Sequence, residues 1–107
     1  MAHYLIQVAY TPEAWATMSK NPQDREALVR PAVEGLGGTV RDFFYSFGEY
    51  DVICVAEFPS NVDAASFAIG VGGAGAVKAF KTTPLLSTEE GMEAMRRSGS
   101  VAYTPPG

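Results

Sequence analysis

From His3 to Tyr10 apolar residues alternate along an extended chain, with Tyr4, Ile6, Val8 and Tyr10 on one side and Leu5, Gln7 and Ala9 on the other. Both sides of this first strand carry hydrophobic groups. The period then lengthens. Thr11-Pro12-Glu13 supplies a capping threonine and a proline at the first helical position, which predicts a short helix through Trp15 and Met18. Asn21-Pro22-Gln23-Asp24 repeats that start signal. Leu28, Val29, Ala32, Val33 and Leu36 then recur at helical spacing until Gly35, Gly37 and Gly38 close the run. Pro31 lies inside it, where a missing amide and a crowded preceding turn predict a kink.

A second strand is expected from about Thr39 to Phe47, dense in aromatic residues, and a third from Asp51 to Phe58. Gly48-Glu49-Tyr50-Asp51 joins them into an antiparallel hairpin, and Gly48 is expected to supply a positive φ there. Ser60-Asn61 with Asp63 caps a further helix carrying Ala64, Phe67, Ala68 and Val71, which ends in glycines. Val77 to Thr83 reads as a fourth strand, stopped by Pro84, and Ser87-Thr88-Glu89-Glu90 has the spacing of a capping box for a last short helix. Residues 1–97 form the domain. Residues 98–107, with Pro105-Pro106, are expected to be an unstructured tail.

The order β, α, β, β, α, β is the split βαβ arrangement, an α+β fold with a four-stranded antiparallel sheet and helices on one face only. The second face is then bare. Leu5, Ile53 and Val55 fall on it, too apolar to sit in water, so pairing of two sheets in a homodimer or a multiple of one is expected.

Composition narrows the function classes. At 107 residues, 47% hydrophobic and 19% charged, the chain is an ordinary globular domain. A net charge of -4 with dispersed Lys and Arg argues against nucleic acid and against an anionic membrane surface. The single Cys54 excludes an internal disulfide, and within an apolar strand it reads as a buried, inert thiol. No leader or membrane-spanning run is evident, which predicts a cytoplasmic protein. His3, the only histidine, is expected at the start of an edge strand and solvated, so no metal, haem or other cofactor is predicted.

The turn Gly48-Glu49-Tyr50-Asp51, together with Tyr4-Leu5-Ile6-Gln7-Val8-Ala9-Tyr10-Thr11, Asn21-Pro22-Gln23-Asp24-Arg25, Leu36-Gly37-Gly38 and the segment from Val77 to Leu86, resembles the GYD domain family. The family is named for a Gly, Tyr and Asp signature, which this turn carries with Glu49 inserted. The resemblance implies a ferredoxin-like fold that pairs into a dimeric α+β barrel. It implies no set activity, since proteins of related fold include small monooxygenases, haem-dependent enzymes and ligand-sensing domains.

Candidate chemistry gathers at the hairpin. Strand alternation would send Glu49 and Asp51 to one side, where one carboxylate could raise the pKa of the other, with Tyr50 pointing a phenol into the same space. The competing reading has Asp51 bonding local backbone amides. Lys81 and Arg25 could face a small anionic ligand beside the turn, with Trp15 and Phe47 lining the cavity, although core or interface packing serves the two aromatic residues as well. Gly70 to Gly75 matches G-x-G-x-x-G, but it follows a helix and precedes a strand, the reverse of a dinucleotide site. Three functions follow from this pattern: a homo-oligomeric small-molecule binder with a pocket between sheet and helices, a cofactor-free monooxygenase or isomerase using Tyr50, Glu49 or Asp51, and a structural assembly module.

Overall fold

A computed structural model describes residues 1–107, in the order β1 (Ala2–Tyr10), α1 (Pro12–Lys20), α2 (Glu26–Gly35), β2 (Thr39–Tyr45), β3 (Val52–Phe58), α3 (Asn61–Gly72), β4 (Val77–Leu85) and α4 (Thr88–Ser98). The strands form one antiparallel sheet ordered β2-β3-β1-β4, the ferredoxin-like α+β topology expected from the sequence. β1 lies inside the sheet between β3 and β4, so His3 is not on an edge strand; its Nε2 stands 3.6 Å from Glu57 on β3. No helix is long and apolar enough to cross a membrane.

Register fixes the two faces. Tyr4 lies opposite Ala56 and Ile6 opposite Cys54, and these residues, with Val8, Val52 and Phe58, point to the helices and are buried. α2 covers β2, while α3 covers β3 and β4. Aromatic rings link the layers, with centroids 5.8 Å apart for Tyr4 and Phe58, 5.8 Å for Phe58 and Phe67, and 6.1 Å for Phe67 and Phe80. Leu5 and Val55, paired across the strands, and Ile53, paired with Gln7, occupy the opposite face and are only half-buried. Phe44, opposite Ile53, is 63% exposed.

Local chemistry sets the ends of the elements. Thr11, Ser60 and Ser87 cap α1, α3 and α4, each accepting a backbone N–H three residues on. The capping box at Ser87 is complete, and the Ser87 amide, followed by its hydroxyl, holds the Glu90 carboxyl below its usual range. α2 departs from expectation at its start, which is Glu26 rather than Pro22, with Asp24 Oδ1 accepting the Ala27 N–H at 3.3 Å; Pro31 lies inside the helix, as the sequence places it. β4 departs as well: it continues through Pro84 to Leu85. As an edge strand it can spare the ladder donor that proline lacks.

α4 buries none of its residues and leaves Met92 and Met95 exposed. The radius of gyration is accordingly 17.1 Å, against about 13 Å for a compact chain of this length. Residues 101–107 form neither helix nor strand.

At the end of α2 the chain turns through Gly37 at φ +80° and then passes so close to β3 that a Cβ on Gly38 would meet Glu57 O at 2.5 Å and Val33 Cγ1 at 2.9 Å. Gly38→Ala must push α2 away from the sheet. The expected loss of about 1–3 kcal/mol of stability is measurable by urea unfolding.

Candidate functional site

The β2–β3 turn is held by its own backbone and by the neighbouring strand. Ser46 N donates to Asp51 O at 2.8 Å, Ser46 Oγ donates to Tyr50 O at 2.7 Å, and Asp51 N donates to Val8 O at 2.7 Å. Asp51 Oδ2 then accepts the Tyr10 N–H at 2.8 Å and the Trp15 Nε1–H at 3.1 Å. One carboxylate therefore ties the hairpin to the end of β1 and to α1. Trp15 is held a second way, with its ring edge-on to Tyr10 at a centroid distance of 5.6 Å. Gly48 does not adopt a positive φ, contrary to expectation, and a side chain there would meet open space.

Two concavities flank the sheet on opposite faces. The first, about 270 Å³, opens between α2 and α3 over β1, β3 and β4. Its walls include Val8, Val29, Phe43, Val71 and Phe80, and its size owes much to the small residues Ala32, Gly70, Ala74 and Ala76. Arg25 is the one charged lining residue, and the Tyr10 phenol is a further polar group there. Burial pushes the Tyr10 phenol above its usual range, and the neighbouring Arg25 guanidinium opposes that shift. Tyr45 fixes the rim: its hydroxyl donates to Gln23 O at 2.7 Å and accepts the Arg25 N–H at 3.0 Å, which pins the α1–α2 connection to β2. Cys54 also lines this cleft, but burial pushes its thiol up to about 11, so it stays protonated and unreactive near neutral pH.

The second concavity, about 360 Å³ and more open, lies on the helix-free face and is bordered by Gln7, Phe47, Glu49, Tyr50, Ile53 and Lys81. The seven residues singled out in the sequence thus divide. Phe47, Glu49, Tyr50 and Lys81 meet at this open-face hollow, with Phe47 fully exposed. Asp51 and Trp15 bond each other near the end of β1, and Arg25 faces the cleft under the helices. Glu49 and Asp51 do not converge, because the chain from Ser46 to Tyr50 bends and two-residue alternation holds only in an extended strand. Arg25 and Lys81 do not face one ligand either, since Lys81 stands opposite Gln7 on the helix-free side.

Sequence reading overlooks Tyr10 as a cleft residue and Tyr45 as the anchor of the α1–α2 connection. The available signal is that Tyr10 shares the buried face of β1 while small residues recur in and after α3.

Asp51→Ala would leave the Tyr10 amide and the Trp15 indole N–H without their acceptor. The expected cost is about 1.5–3 kcal/mol in denaturant unfolding, with Asp51→Asn, which keeps an acceptor oxygen, losing less.

The same fold recurs in solved structures. MtbAldR is similar at 20% identity with a TM-score of 0.61, over 80% of this chain and 53% of its own, so this chain spans about half its length. FFRP-DM1 is similar at 17% identity and a TM-score of 0.55, over 80% of this chain and 100% of that one. The hypothetical protein PHS023 from Pyrococcus horikoshii is similar at 19% identity and a TM-score of 0.51, over 81% of this chain and 92% of that one. Identities this low establish the shared fold alone. No curated protein matches the sequence. The GYD domain matches residues 4–95, from β1 through the Asp51 turn and into α4, and the chain therefore belongs to the GYD domain family.

Proposed function

We propose that this protein is a small-molecule binding protein of the cytoplasm that works as a homo-oligomer, with its ligand in the cleft between sheet and helices. The observation that carries this reading is the apolar cleft itself. Of its 17 lining residues 15 are hydrophobic, yet the protein's own side chains leave about 270 Å³ unfilled. Protein interiors are packed as densely as organic crystals, and an unfilled apolar cleft with one charged lining residue has the chemistry of a ligand site, at the small end of the usual size range. Self-association is supported by the helix-free face, where Leu5, Ile53, Val55 and Phe44 stand without cover.

A second reading, proton-transfer catalysis without a cofactor, is supported by the open-face hollow, where Glu49, Tyr50 and Lys81 share one concavity. A second copy packed on that face would wall the hollow off from water.

Native mass spectrometry with ligand extraction tests stoichiometry and cargo together. The expected parent ion is a dimer, or a multiple of one, that carries an added small-molecule mass. Val55→Asp is expected to give monomer, because burying an unpaired carboxylate costs ~3–5 kcal/mol. A parent that is monomeric at micromolar concentration and without added mass contradicts the proposal.

A further inference from the structure

The cleft combines walls of hydrocarbon with one cation that has no anionic partner. Arg25 Nη1 donates to the neutral Gln23 side chain at 2.9 Å. The ion pairs of the chain join His3 and Arg41 to Glu57, Arg30 to Glu26, and Arg96 and Arg97 to Glu93; none includes Arg25. Its acidic neighbours in sequence, Asp24 and Glu26, and the hairpin's Asp51 are engaged elsewhere. Asp24 accepts the Ala27 N–H, Glu26 pairs with Arg30, and Asp51 holds Tyr10 N and the Trp15 indole.

The position of Arg25 is set in advance. Its backbone N–H is bonded to the Tyr45 hydroxyl, which is itself anchored on Gln23 O, so the guanidinium projects from a fixed point at the start of α2. An unpaired guanidinium beside low-dielectric walls is a strong site for a carboxylate, whose two oxygens match its planar fork. The Tyr10 phenol beside it keeps its proton at neutral pH and can donate to the same anion. Lys20, Lys78 and Lys81 also lack ion pairs, but none of them lines the cleft.

Size limits the ligand. A volume of 270 Å³ equals that of about nine waters at ~30 Å³ each, which leaves room for a molecule of roughly ten heavy atoms.

Taking the cleft as the ligand site, we infer that its ligand class is a small apolar carboxylate, a medium-length chain or a single ring, with the hydrocarbon against Val29, Val71 and Phe80 and the carboxylate on Arg25. Arg25 then selects the anion, and the walls limit its length.

Isothermal titration of the full chain at neutral pH with octanoate, 1-octanol and octylammonium, three probes of nearly equal hydrocarbon length, separates the two claims. Methyl NMR of Val29 and Val71 reports whether each probe enters the cleft, and circular dichroism reports that each variant is folded. Octanoate is expected to bind about tenfold to a hundredfold tighter than octanol, with octylammonium the weakest. Arg25→Gln is expected to reduce octanoate to the level of octanol while octanol is unaffected. Equal binding of octanoate and octanol to the parent, or no change in Arg25→Gln, overturns the anion selectivity but leaves the cleft as a binding site. No binding of any probe, with unmoved Val29 and Val71 signals, overturns both.

Discussion

A single layer of helices over a sheet that is apolar on both sides is the constraint on which this molecule turns. The covered side must be filled by two helices. Tyr4 and Phe58 fill it at one end, whereas Ala32, Gly70, Ala74 and Ala76 border a gap at the other. The bare side presents Leu5, Ile53 and Val55 with no helix to take them out of water. At about 25 cal/mol per Å² of apolar surface, taking either place out of water is favourable, which is the physical basis of the proposed ligand in the gap and the proposed second copy on the bare face.

Asp51 connects these two regions without taking part in either concavity. Its carboxylate secures the hairpin that borders the open-face hollow, and through Trp15 and Tyr10 it secures the start of α1. From α1 the chain runs to Gln23 and Arg25, where Tyr45 fastens it back to β2. The placement of the one cation in the cleft therefore depends on a series of hydrogen bonds between segments distant in sequence that begins at the hairpin. The aspartate of the turn builds the scaffold. The residues that border the hollow at that end of the sheet are instead Glu49, Tyr50 and Lys81.

Much of the fold is legible in the sequence because its signals are local and agree with one another. Alternation at Tyr4, Ile6 and Val8, the threonine and serine caps, and the capping box at Ser87 each specify one element regardless of the rest. The register that separates Leu5 and Val55 from Ile6 and Cys54 follows from the same two-residue period. The candidate site is less legible, because it depends on where non-local pieces meet. Nothing local to Arg25 or Lys81 says that one approaches the sheet from above and the other from below. Alternation extended into the turn misplaces Asp51, whose carboxylate is captured by an amide and an indole far away in sequence. The cleft itself is a volume that side chains fail to fill, and small residues such as Gly70 and Ala74 mark it only once α3 is laid over the sheet.

The central claim is that the space between α2 and α3 is an apolar, enterable site. Xenon tests it without assuming any ligand, since dry apolar cavities of this order take up the gas. Methyl NMR of the full chain under xenon pressure is expected to shift Ile6, Val29 and Val71 in a saturable way, with Leu5 and Ile53 on the helix-free face unmoved. Unchanged cleft methyls, or saturable shifts confined to Leu5 and Ile53, would contradict the account.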